Sequence, residues 1–299
     1  MKKSDRKLVR RYRVDNGKRF RLKDTDPDDT GGLDIDKEEA RRMLAEGVEQ
    51  LAELQSKLFA QDRWAVLLVF QAMDAAGKDS TIQHVFSGVN PQGCQVTSFK
   101  EPSSEEIDHD FLWRVAKALP ERGRIGIFNR SHYEEVLIVR VHPEILRGQK
   151  LPSDCLDEDI WEERFEDINA FERHLRRSGT IVLKFFLHVS LEEQKKRFLA
   201  RIERPEKNWK FSLGDVKERA LWKDYMHAYE EAIRATSTKW APWHVVPADH
   251  KWFARLVVAG TIVDALEQLD VAYPKLDPAQ KKELAQARRA LMGTGGGRR

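Results

Sequence analysis

A run of small residues ending in Gly-Lys lies directly after the most apolar segment of the chain. The apolar segment covers residues 64–70, and the run is Ala72-Met73-Asp74-Ala75-Ala76-Gly77-Lys78-Asp79. Phosphate-binding loops have the pattern Gly-x-x-x-x-Gly-Lys-Ser/Thr between a buried strand and a helix, and their backbone N–H groups surround phosphate oxygens. The sequence therefore predicts a phosphate-binding loop with Lys78 as its cation, followed by a helix over residues 79–86.

Two positions depart from the common pattern of such loops. Ala72 replaces the first Gly, so the turn at that point must accommodate a Cβ. Asp79 replaces the hydroxyl residue that normally binds Mg²⁺, although Ser80 and Thr81 follow at once. The alternative is an ordinary strand–helix turn that happens to contain Gly-Lys. The order of strand, loop and helix favours the phosphate loop.

Asp74 places a carboxylate inside the predicted loop. A carboxylate there repels a phosphate unless it binds a metal ion or accepts a proton. We therefore assign Asp74 to Mg²⁺ coordination or to positioning of the attacking phosphate. The alternative is an Asx-type turn that only stabilises the loop.

A second constellation follows the short apolar segment at residues 124–128. Such a strand in phosphate-loop proteins normally ends in an acid that supports Mg²⁺. Here the strand ends at Asn129, which offers only a neutral oxygen ligand. Arg130 comes next and is placed to contact a transferring phosphoryl group.

Three arginines, Arg197, Arg201 and Arg204, lie on one face of a helix predicted to begin at Ser190. Their spacing of four and three residues aligns them along that face. Lys207 and Lys210 continue beyond Pro205, which should end the helix. From the pattern alone, a solvated surface is the favoured interpretation. A track for a long polyanion is the alternative, because the arginine fork can bind two phosphate oxygens at once.

The elements that must position these residues alternate between strands and helices. Strands are predicted over residues 64–70, 94–99, 124–128, 181–187 and 243–246, and helices over 37–60, 103–119, 158–177, 214–235 and 250–269. Capping boxes (Ser103 with Glu106, Ser190 with Glu193) mark two helix starts. The alternation predicts a single α/β domain around a parallel sheet with both faces covered.

Charge and cysteine content narrow the class of protein. The net charge is only +3, but residues 1–23 carry eleven Lys or Arg against Asp5 and Asp15. This segment is interpreted as a solvated, frayed terminus, with an arm reaching toward a polyanion as the alternative. Cys94 and Cys155 form neither a disulfide framework nor a zinc site, and the longest apolar run is far below the ~20 residues that span a bilayer. We expect a cytoplasmic protein with no membrane partner.

Taken together, the motifs resemble those of family-2 polyphosphate kinases over about residues 40–270. The first is Met73-Asp74-Ala75-Ala76-Gly77-Lys78-Asp79. The others follow in the family's order: Val89-Asn90-Pro91-Gln92-Gly93, Ser98-Phe99-Lys100-Glu101-Pro102, Asp110-Phe111-Leu112-Trp113-Arg114, Phe128-Asn129-Arg130-Ser131-His132-Tyr133-Glu134, Lys207-Asn208-Trp209-Lys210-Phe211 and Ala241-Pro242-Trp243.

The resemblance implies a fold, and together with the charge and composition of the two ends of the chain it gives a domain plan. The expected fold is a thymidylate-kinase-like P-loop kinase, a three-layer α/β sandwich with a five-stranded parallel sheet and a helical lid at about residues 190–215. A charged arm is expected over residues 1–36, the catalytic domain over 37–290 and a disordered tail over 291–299. The resemblance also implies a homo-oligomer, either a dimer or a tetramer.

The resemblance also implies an activity and a set of site residues. The reaction would be reversible, Mg²⁺-dependent phosphoryl transfer between inorganic polyphosphate and AMP or ADP, with guanine nucleotides as further acceptors and Mn²⁺ as a substitute metal. Asp74, Lys78 and Arg130 would be catalytic, and Asp74 and Asn129 would bind the metal. Residues that would contact phosphate or nucleotide are Ala75, Ala76, Gly77, Asp79, Ser80, Lys100, Glu134, Arg197, Arg201, Arg204 and Lys210.

Glu134 carries the expectation that AMP is accepted as well as ADP, because ADP-specialised relatives tend to have Asn there. His132, Phe111 and Trp113 are left out of the site as structural residues. Two other functions stay open. One is an ATP-dependent nucleotide kinase on the same fold, and the other is a nucleic-acid-binding P-loop protein suggested by the basic segment; we expect no nucleic-acid partner.

Overall fold

A computed structural model describes residues 3–293. Its centre is one parallel sheet of five strands in the order β2-β3-β1-β4-β5. The strands are β1 Ala65–Gln71, β2 Cys94–Ser98, β3 Ile125–Asn129, β4 Thr180–His188 and β5 Trp243–Pro247. The predicted α/β class and five-stranded parallel sheet are confirmed.

The central strand β1 is buried along its whole length. Its side chains alternate between the two faces of the sheet, so complete burial means that both faces are covered. Phe70 of β1 stacks on Phe185 of β4 with ring centroids 5.0 Å apart. The continuous apolar run in the sequence therefore reflects the middle position of this strand.

Thirteen α-helices accompany the sheet within residues 3–293. They are α1 Lys3–Arg10, α2 Lys37–Gln61, α3 Lys78–Val85, α4 Ser104–Ile107, α5 Trp113–Lys117, α6 Ile138–Val141, α7 Pro143–Arg147, α8 Ile160–Arg177, α9 Leu191–Glu203, α10 Leu213–Ala220, α11 Trp222–Thr236, α12 Lys251–Glu267 and α13 Pro278–Gly293. One group of helices contains α1, α2, α3 and α12, and another contains α6, α8 and α11.

Two predicted long helices are each divided in the structure, so the predictions over residues 103–119 and 214–235 are wrong in their interiors. Between α4 and α5, the Asp110 carboxylate accepts a hydrogen bond from the backbone N–H of Leu112. This local turn competes with the helix. In the second case the chain leaves α10 and enters α11 at Leu221.

The capping boxes have different outcomes. At α4 both reciprocal hydrogen bonds between Ser103 and Glu106 are present. At α9 the Ser190 hydroxyl accepts from the Glu193 N–H. The Glu193 carboxylate does not return to the helix start, because it accepts from Arg197 at 2.8 Å instead.

The N-terminal segment is packed against the domain, so the expectation of a frayed terminus is wrong from Val9 onward. Val9 and Tyr12 are 4% and 6% exposed, and α1 lies on α12. The Val14 N–H donates to Trp243 O, and the Val245 N–H donates to Tyr12 O. The segment therefore covers β5, an edge strand that would otherwise expose unpaired backbone groups.

The C-terminal end contains α13, a helix that the sequence reasoning missed. This helix extends to Gly293, so the predicted tail overlaps it at residues 291–293. The rest of the predicted tail, residues 294–299, lies outside the described residues. Within residues 3–293, no helix has the length and apolar character needed to cross a membrane.

Candidate active site

A cavity of about 810 Å³ opens at the carboxyl ends of β1, β2 and β3. This is the edge of a parallel sheet where α/β proteins bind their ligands. The cavity brings together twelve of the predicted site residues: Asp74, Ala75, Gly77, Lys78, Asp79, Ser80, Lys100, Asn129, Arg130, Arg197, Arg201 and Arg204. Nine of its lining residues are Lys or Arg and three are Asp or Glu, so it suits a polyanion.

The loop between β1 and α3 has the backbone conformation of an anion-binding turn. Ala75 and Gly77 have φ values of +63° and +108°, in the left-handed region. Gly adopts this region at little cost, whereas Ala75 is strained there. Gly77 is the N-cap of α3, so the unpaired N–H groups of the first helical turn lie next to the cavity.

Lys78 folds back on the loop. Its Nζ donates to the backbone oxygen of Ala72 at 2.6 Å. Burial lowers the pKa of Lys78, and the nearby Asp74 carboxylate opposes that effect. A phosphate that replaced the carbonyl would offer this cation a fully charged partner.

Arg130 and Asp74 form an ion pair across the ends of β3 and β1. Arg130 Nη2 lies 3.2 Å from Asp74 Oδ1, and the Arg130 N–H donates to Phe70 O at 3.0 Å. Arg130 has φ +65°, a strained value for a non-glycine residue. Burial opposes the charge of its guanidinium, but the carboxylates of Glu134 and Asp74 outweigh burial and raise the pKa of Arg130. The ion pair with Asp74 holds this side chain toward the loop.

Asp79 and Asn129 are joined by a hydrogen bond of 2.7 Å from the amide Nδ2 to the carboxylate Oδ1. The carboxylate that normally ends the second strand is here on the helix, and a neutral amide ends the strand. The adjacent Ser80 hydroxyl accepts from Arg255 Nη2 at 2.8 Å. The two departures from the common pattern are therefore in direct contact.

The cavity offers oxygen ligands of the type that Mg²⁺ prefers. The carboxylates of Asp74 and Asp79 and the amide of Asn129 all line it. Among residues 3–293 no group of three His, Cys, Asp or Glu side chains could hold a metal ion. These donors therefore fit a Mg²⁺ ion that shares its coordination with phosphate oxygens and water, which is how Mg²⁺ is commonly bound.

The three predicted arginines have different environments. Arg197 is buried, and its guanidinium donates to backbone carbonyls and to Glu193. Arg201 pairs with Asp215 of α10 at 3.4 Å. Arg204 ends α9 at the cavity wall, as the predicted helix stop before Pro205 requires. The backbone of Lys210 belongs to a 3-10 segment, Pro205–Lys210, and its side chain lies outside what the structure describes.

Glu134 and Ala76 do not line this cavity. Ala76 lies in the loop, and its carbonyl accepts from Arg197. Glu134 lines a second cavity of about 330 Å³ between the α4–α5 region and α8. Burial raises the pKa of Glu134, and the positive charges of Arg130 and Lys78 oppose this effect. Glu134 therefore interacts electrostatically with two cations that line the large cavity.

Sequence reasoning missed several residues of the two cavities. Lys251 lines the large one and directly follows the turn after β5, so the rule that sites form at strand carboxyl ends could have found it. Lys196 could not be recognised from the sequence, because it lies beside the face of α9 that carries the three arginines and belongs to no motif. Phe111 was dismissed as a core residue, yet it lines the second cavity with the Arg164 guanidinium 5.0 Å from its ring. Its helical spacing was misleading because the helix is interrupted there.

His132, also left out of the site, is buried at the start of a 3-10 segment, His132–Val136. Its Nε2 lies 3.5 Å from Glu172 Oε1. That glutamate is fully buried and pairs with Lys184 at 2.6 Å. His132 also lines the second cavity, so its structural role stays a prediction.

Comparison with known proteins gives consistent matches. A family model described as Polyphosphate kinase 2 (PPK2) matches residues 34–274. An ADP-polyphosphate phosphotransferase of Rhodopseudomonas palustris is 55% identical over 257 residues, which are 86% of this chain and 89% of that protein. An AMP/ADP-polyphosphate phosphotransferase of Meiothermus ruber is 45% identical over 274 residues, 92% of this chain and 98% of that protein.

A solved structure shows the same fold. The crystal structure of polyphosphate kinase 2 from Arthrobacter aurescens TC1 superimposes with a TM-score of 0.84 at 44% sequence identity. The match covers 94% of this chain and 96% of that one. The similarity extends over nearly the whole length of both molecules.

Proposed function

We propose that this chain, which belongs to the polyphosphate kinase 2 family, transfers phosphoryl groups reversibly between inorganic polyphosphate and nucleotides. The relatives named above are polyphosphate phosphotransferases that use ADP, or AMP and ADP. The observation that carries the proposal is the large cavity with nine Lys or Arg against three Asp or Glu. The alternative of an ATP-dependent nucleotide kinase is not favoured by these relatives.

The polyphosphate chain would lie along the basic side of this cavity. From the phosphate loop the cations continue through Lys196, Arg201 and Arg204 to Lys207. A polyanion with a charge on every phosphate needs such a track, and each contact gains strength from the partly buried surroundings. We propose that α9 and the segment after it form the predicted lid at about residues 190–215.

The residues of the phosphate loop would align the transferring group. Lys78 and the first N–H groups of α3 would hold one phosphate. Arg130 would break its ion pair with Asp74 and contact the phosphoryl group that is being transferred. Transfer of this kind depends mainly on alignment and charge neutralisation, so no covalent nucleophile is needed. Mg²⁺, or Mn²⁺ in its place, would be held by Asp74 and Asn129 with Asp79 beside them, and would neutralise charge on the phosphate oxygens.

The acceptor nucleotide would occupy the second cavity. Phe111 and Arg164 offer an aromatic and a planar cationic surface for a base, and Glu134 stands at the side nearest Arg130. A carboxylate at that position disfavours an additional phosphate, which is consistent with AMP as an acceptor besides ADP. The cytoplasmic location, the absence of nucleic-acid partners and the assembly as a dimer or tetramer stay predictions.

An acceptor screen tests the proposal. AMP, GMP, ADP and GDP are each incubated with the enzyme, Mg²⁺ and saturating polyphosphate, and the products are separated by ion-exchange chromatography. We expect diphosphates from AMP and GMP and triphosphates from ADP and GDP. A parallel series with ATP as the donor tests the alternative. Efficient transfer from ATP together with none from polyphosphate would establish the nucleotide kinase instead.

A further inference from the structure

Side chains of α9 hold three consecutive carbonyl oxygens of the phosphate loop. Gln194 Nε2 donates to Asp74 O at 2.9 Å. Arg197 Nη1 donates to Ala75 O at 3.3 Å and to Ala76 O at 2.6 Å. The loop therefore has a hydrogen-bonded support for its carbonyl groups, supplied from more than 110 positions further along the chain.

The remaining N–H groups of Arg197 are also occupied. Nη2 donates to Ala248 O at 2.6 Å and to Asp249 O at 3.0 Å, and Nε donates to Glu193 at 2.8 Å. An arginine has five N–H donors, and five acceptors surround this one. Its side chain is 7% exposed. These contacts leave no N–H group of Arg197 for a phosphate. They therefore disagree with the prediction that Arg197 is a phosphate ligand.

Gln194 connects the loop to the next helix as well. Its Oε1 accepts from Arg219 Nη1 of α10 at 2.9 Å, and the same nitrogen donates to Leu191 O at 2.8 Å. Gln194 is 1% exposed, so its amide is held at both ends inside the protein. A continuous set of hydrogen bonds thus runs from α10 through Gln194 to the loop.

We propose that Gln194 and Arg197 are positioning residues for phosphoryl transfer. By holding the carbonyls of residues 74–76, they keep the strained left-handed conformation of Ala75. Through Arg219, Gln194 also fixes the position of α10 relative to the loop. The inference rests on the proposed function for its kinetic consequences, but the support of the loop is a physical property that can be measured without turnover.

Hydrogen exchange of the loop amides measures that support directly. Gln194→Glu removes the donor to Asp74 O but keeps an acceptor for Arg219, so it isolates the contact with the loop. Gln194→Met removes both. The matched control is Gln55→Met, because Gln55 is likewise 1% exposed on a helix but lies away from the cavity, in α2. All variants are compared with the wild type by thermal unfolding.

We expect both Gln194 variants to speed exchange in a peptide covering residues 72–80 by about tenfold, and Gln55→Met to leave it unchanged. We also expect kcat to fall by up to about 100-fold in the Gln194 variants, because a small misplacement of a reacting group has that effect. KM for polyphosphate should change less than threefold. Unchanged exchange in the loop of Gln194→Glu would overturn the proposal, whatever its activity.

Arg197→Lys separates positioning from charge. Lysine keeps the positive charge but cannot serve five acceptors. We expect this variant to lose kcat and loop protection, whereas Arg201→Lys, which loses the fork that can bind two phosphate oxygens, should mainly raise KM for polyphosphate. If Arg197→Lys kept the kcat and loop protection of the wild type, the positioning role would be wrong. The wild type could show the expected protection of its loop amides from hydrogen exchange and yet not use polyphosphate. That result would contradict the proposed function, whereas the inference that Gln194 and Arg197 support the loop would stand.

Discussion

Two residues that depart from the common pattern, Asp79 after the phosphate loop and Asn129 at the end of β3, compensate for each other. Asp79 stands where a hydroxyl is usual, and Asn129 stands where an acid is usual, and the two side chains are hydrogen-bonded at 2.7 Å. One carboxylate and one neutral polar group are therefore retained, with their positions exchanged. In the sequence, each departure taken alone weakened the case for a phosphate-binding site. The two residues are 50 positions apart, and only the fold brings them together.

An exchange of these two residues tests whether they act as a pair. Asn129→Asp places two carboxylates against each other, and Asp79→Ser removes the carboxylate from the helix. We expect each single variant to lose activity and the double variant, which restores the common pattern, to recover part of it. The coupling energy for residues in such contact is about 0.5–3 kcal/mol. Strictly additive losses in kcat/KM across the double-mutant cycle would show that the hydrogen bond has no functional role.

Lys78→Met should reduce kcat by about 10²–10³-fold, the usual loss when one charge-stabilising donor is removed from a transition state. The fold should persist, because Lys78 makes one hydrogen bond, to Ala72 O. Steady-state kinetics and circular dichroism measure the two effects. Lys23→Met, at an exposed position outside the cavity, is the matched control and should keep wild-type kinetics. Retained turnover in Lys78→Met would show that this lysine is not the phosphate cation.

Glu134→Asn should shift the acceptor preference from AMP toward ADP. The carboxylate lies near Arg130 and Lys78, and its removal frees positive charge for a second phosphate of the acceptor. We expect the ratio of kcat/KM for AMP to that for ADP to fall by about tenfold, equivalent to about 1.4 kcal/mol. An unchanged ratio, measured with both acceptors at saturating polyphosphate, would contradict the role given to Glu134.

The elements of the fold could be predicted where the pattern was local. The apolar run of β1 and the reciprocal caps of Ser103 and Glu106 were sufficient for their elements. The division between α4 and α5 was not predicted, because an Asx turn at Asp110 outweighs a continuous helical pattern. The same held for the site. Motif residues such as Lys78 were found, whereas Lys251 lines the cavity and Gln194 contacts the phosphate loop through tertiary contacts that no short motif records.

Gly17 shows how closely the N-terminal segment packs on α11. A Cβ on Gly17 would lie 2.4 Å from the backbone oxygen of Arg234, which cannot move aside easily. We expect Gly17→Ala to lower the free energy of unfolding by about 1–3 kcal/mol. Chemical denaturation measures the change, and activity at low temperature should be unaffected.

Gly47→Ala is the matched control for this substitution. A Cβ there would lie 3.8 Å from the Cβ of Ala259, an ordinary contact, in the interior of α2. We expect a gain of about 0.5–1 kcal/mol, because Ala has the higher helix propensity. Equal effects of the two substitutions would mean that the N-terminal segment is not docked as described.

For the whole molecule, the uneven charge of the sequence has a structural explanation. The basic residues of the N-terminal segment include Arg6 and Arg10, and both pair with Asp264 of α12. Tyr12 donates to Asp29 at 2.9 Å, and Arg11 pairs with the same carboxylate. Part of the basic charge of the N-terminal segment is therefore neutralised by carboxylates within the fold. Composition alone could not reveal this pairing, because the partners come from three separate parts of the chain.

Two buried histidines give the molecule a predictable pH dependence of stability. Burial lowers the pKa of His188 to about 4 and that of His244 to about 3. The unfolded chain binds protons at these sites below about pH 6.5, whereas the folded protein does not until much lower pH. Stability from these groups is therefore complete above pH 6.5 and is lost as the pH falls.

Between pH 7 and pH 5 each histidine should reduce the free energy of unfolding by about 2 kcal/mol. Urea denaturation at several pH values measures the slope. His244→Gln should reduce the slope by the contribution of one histidine. A slope in His244→Gln equal to that of the wild type would mean that His244 is protonated in the folded state.

The central claim is transfer of phosphate from polyphosphate to a nucleotide in the cavity of the phosphate loop. The most direct measurement is ATP formation from ADP and Mg²⁺ by the purified protein, with and without polyphosphate, in the wild type and in Lys78→Met. The account predicts ATP formation that requires polyphosphate and falls by at least about 100-fold in the variant. ATP formation that is no greater with polyphosphate than without it would contradict the account.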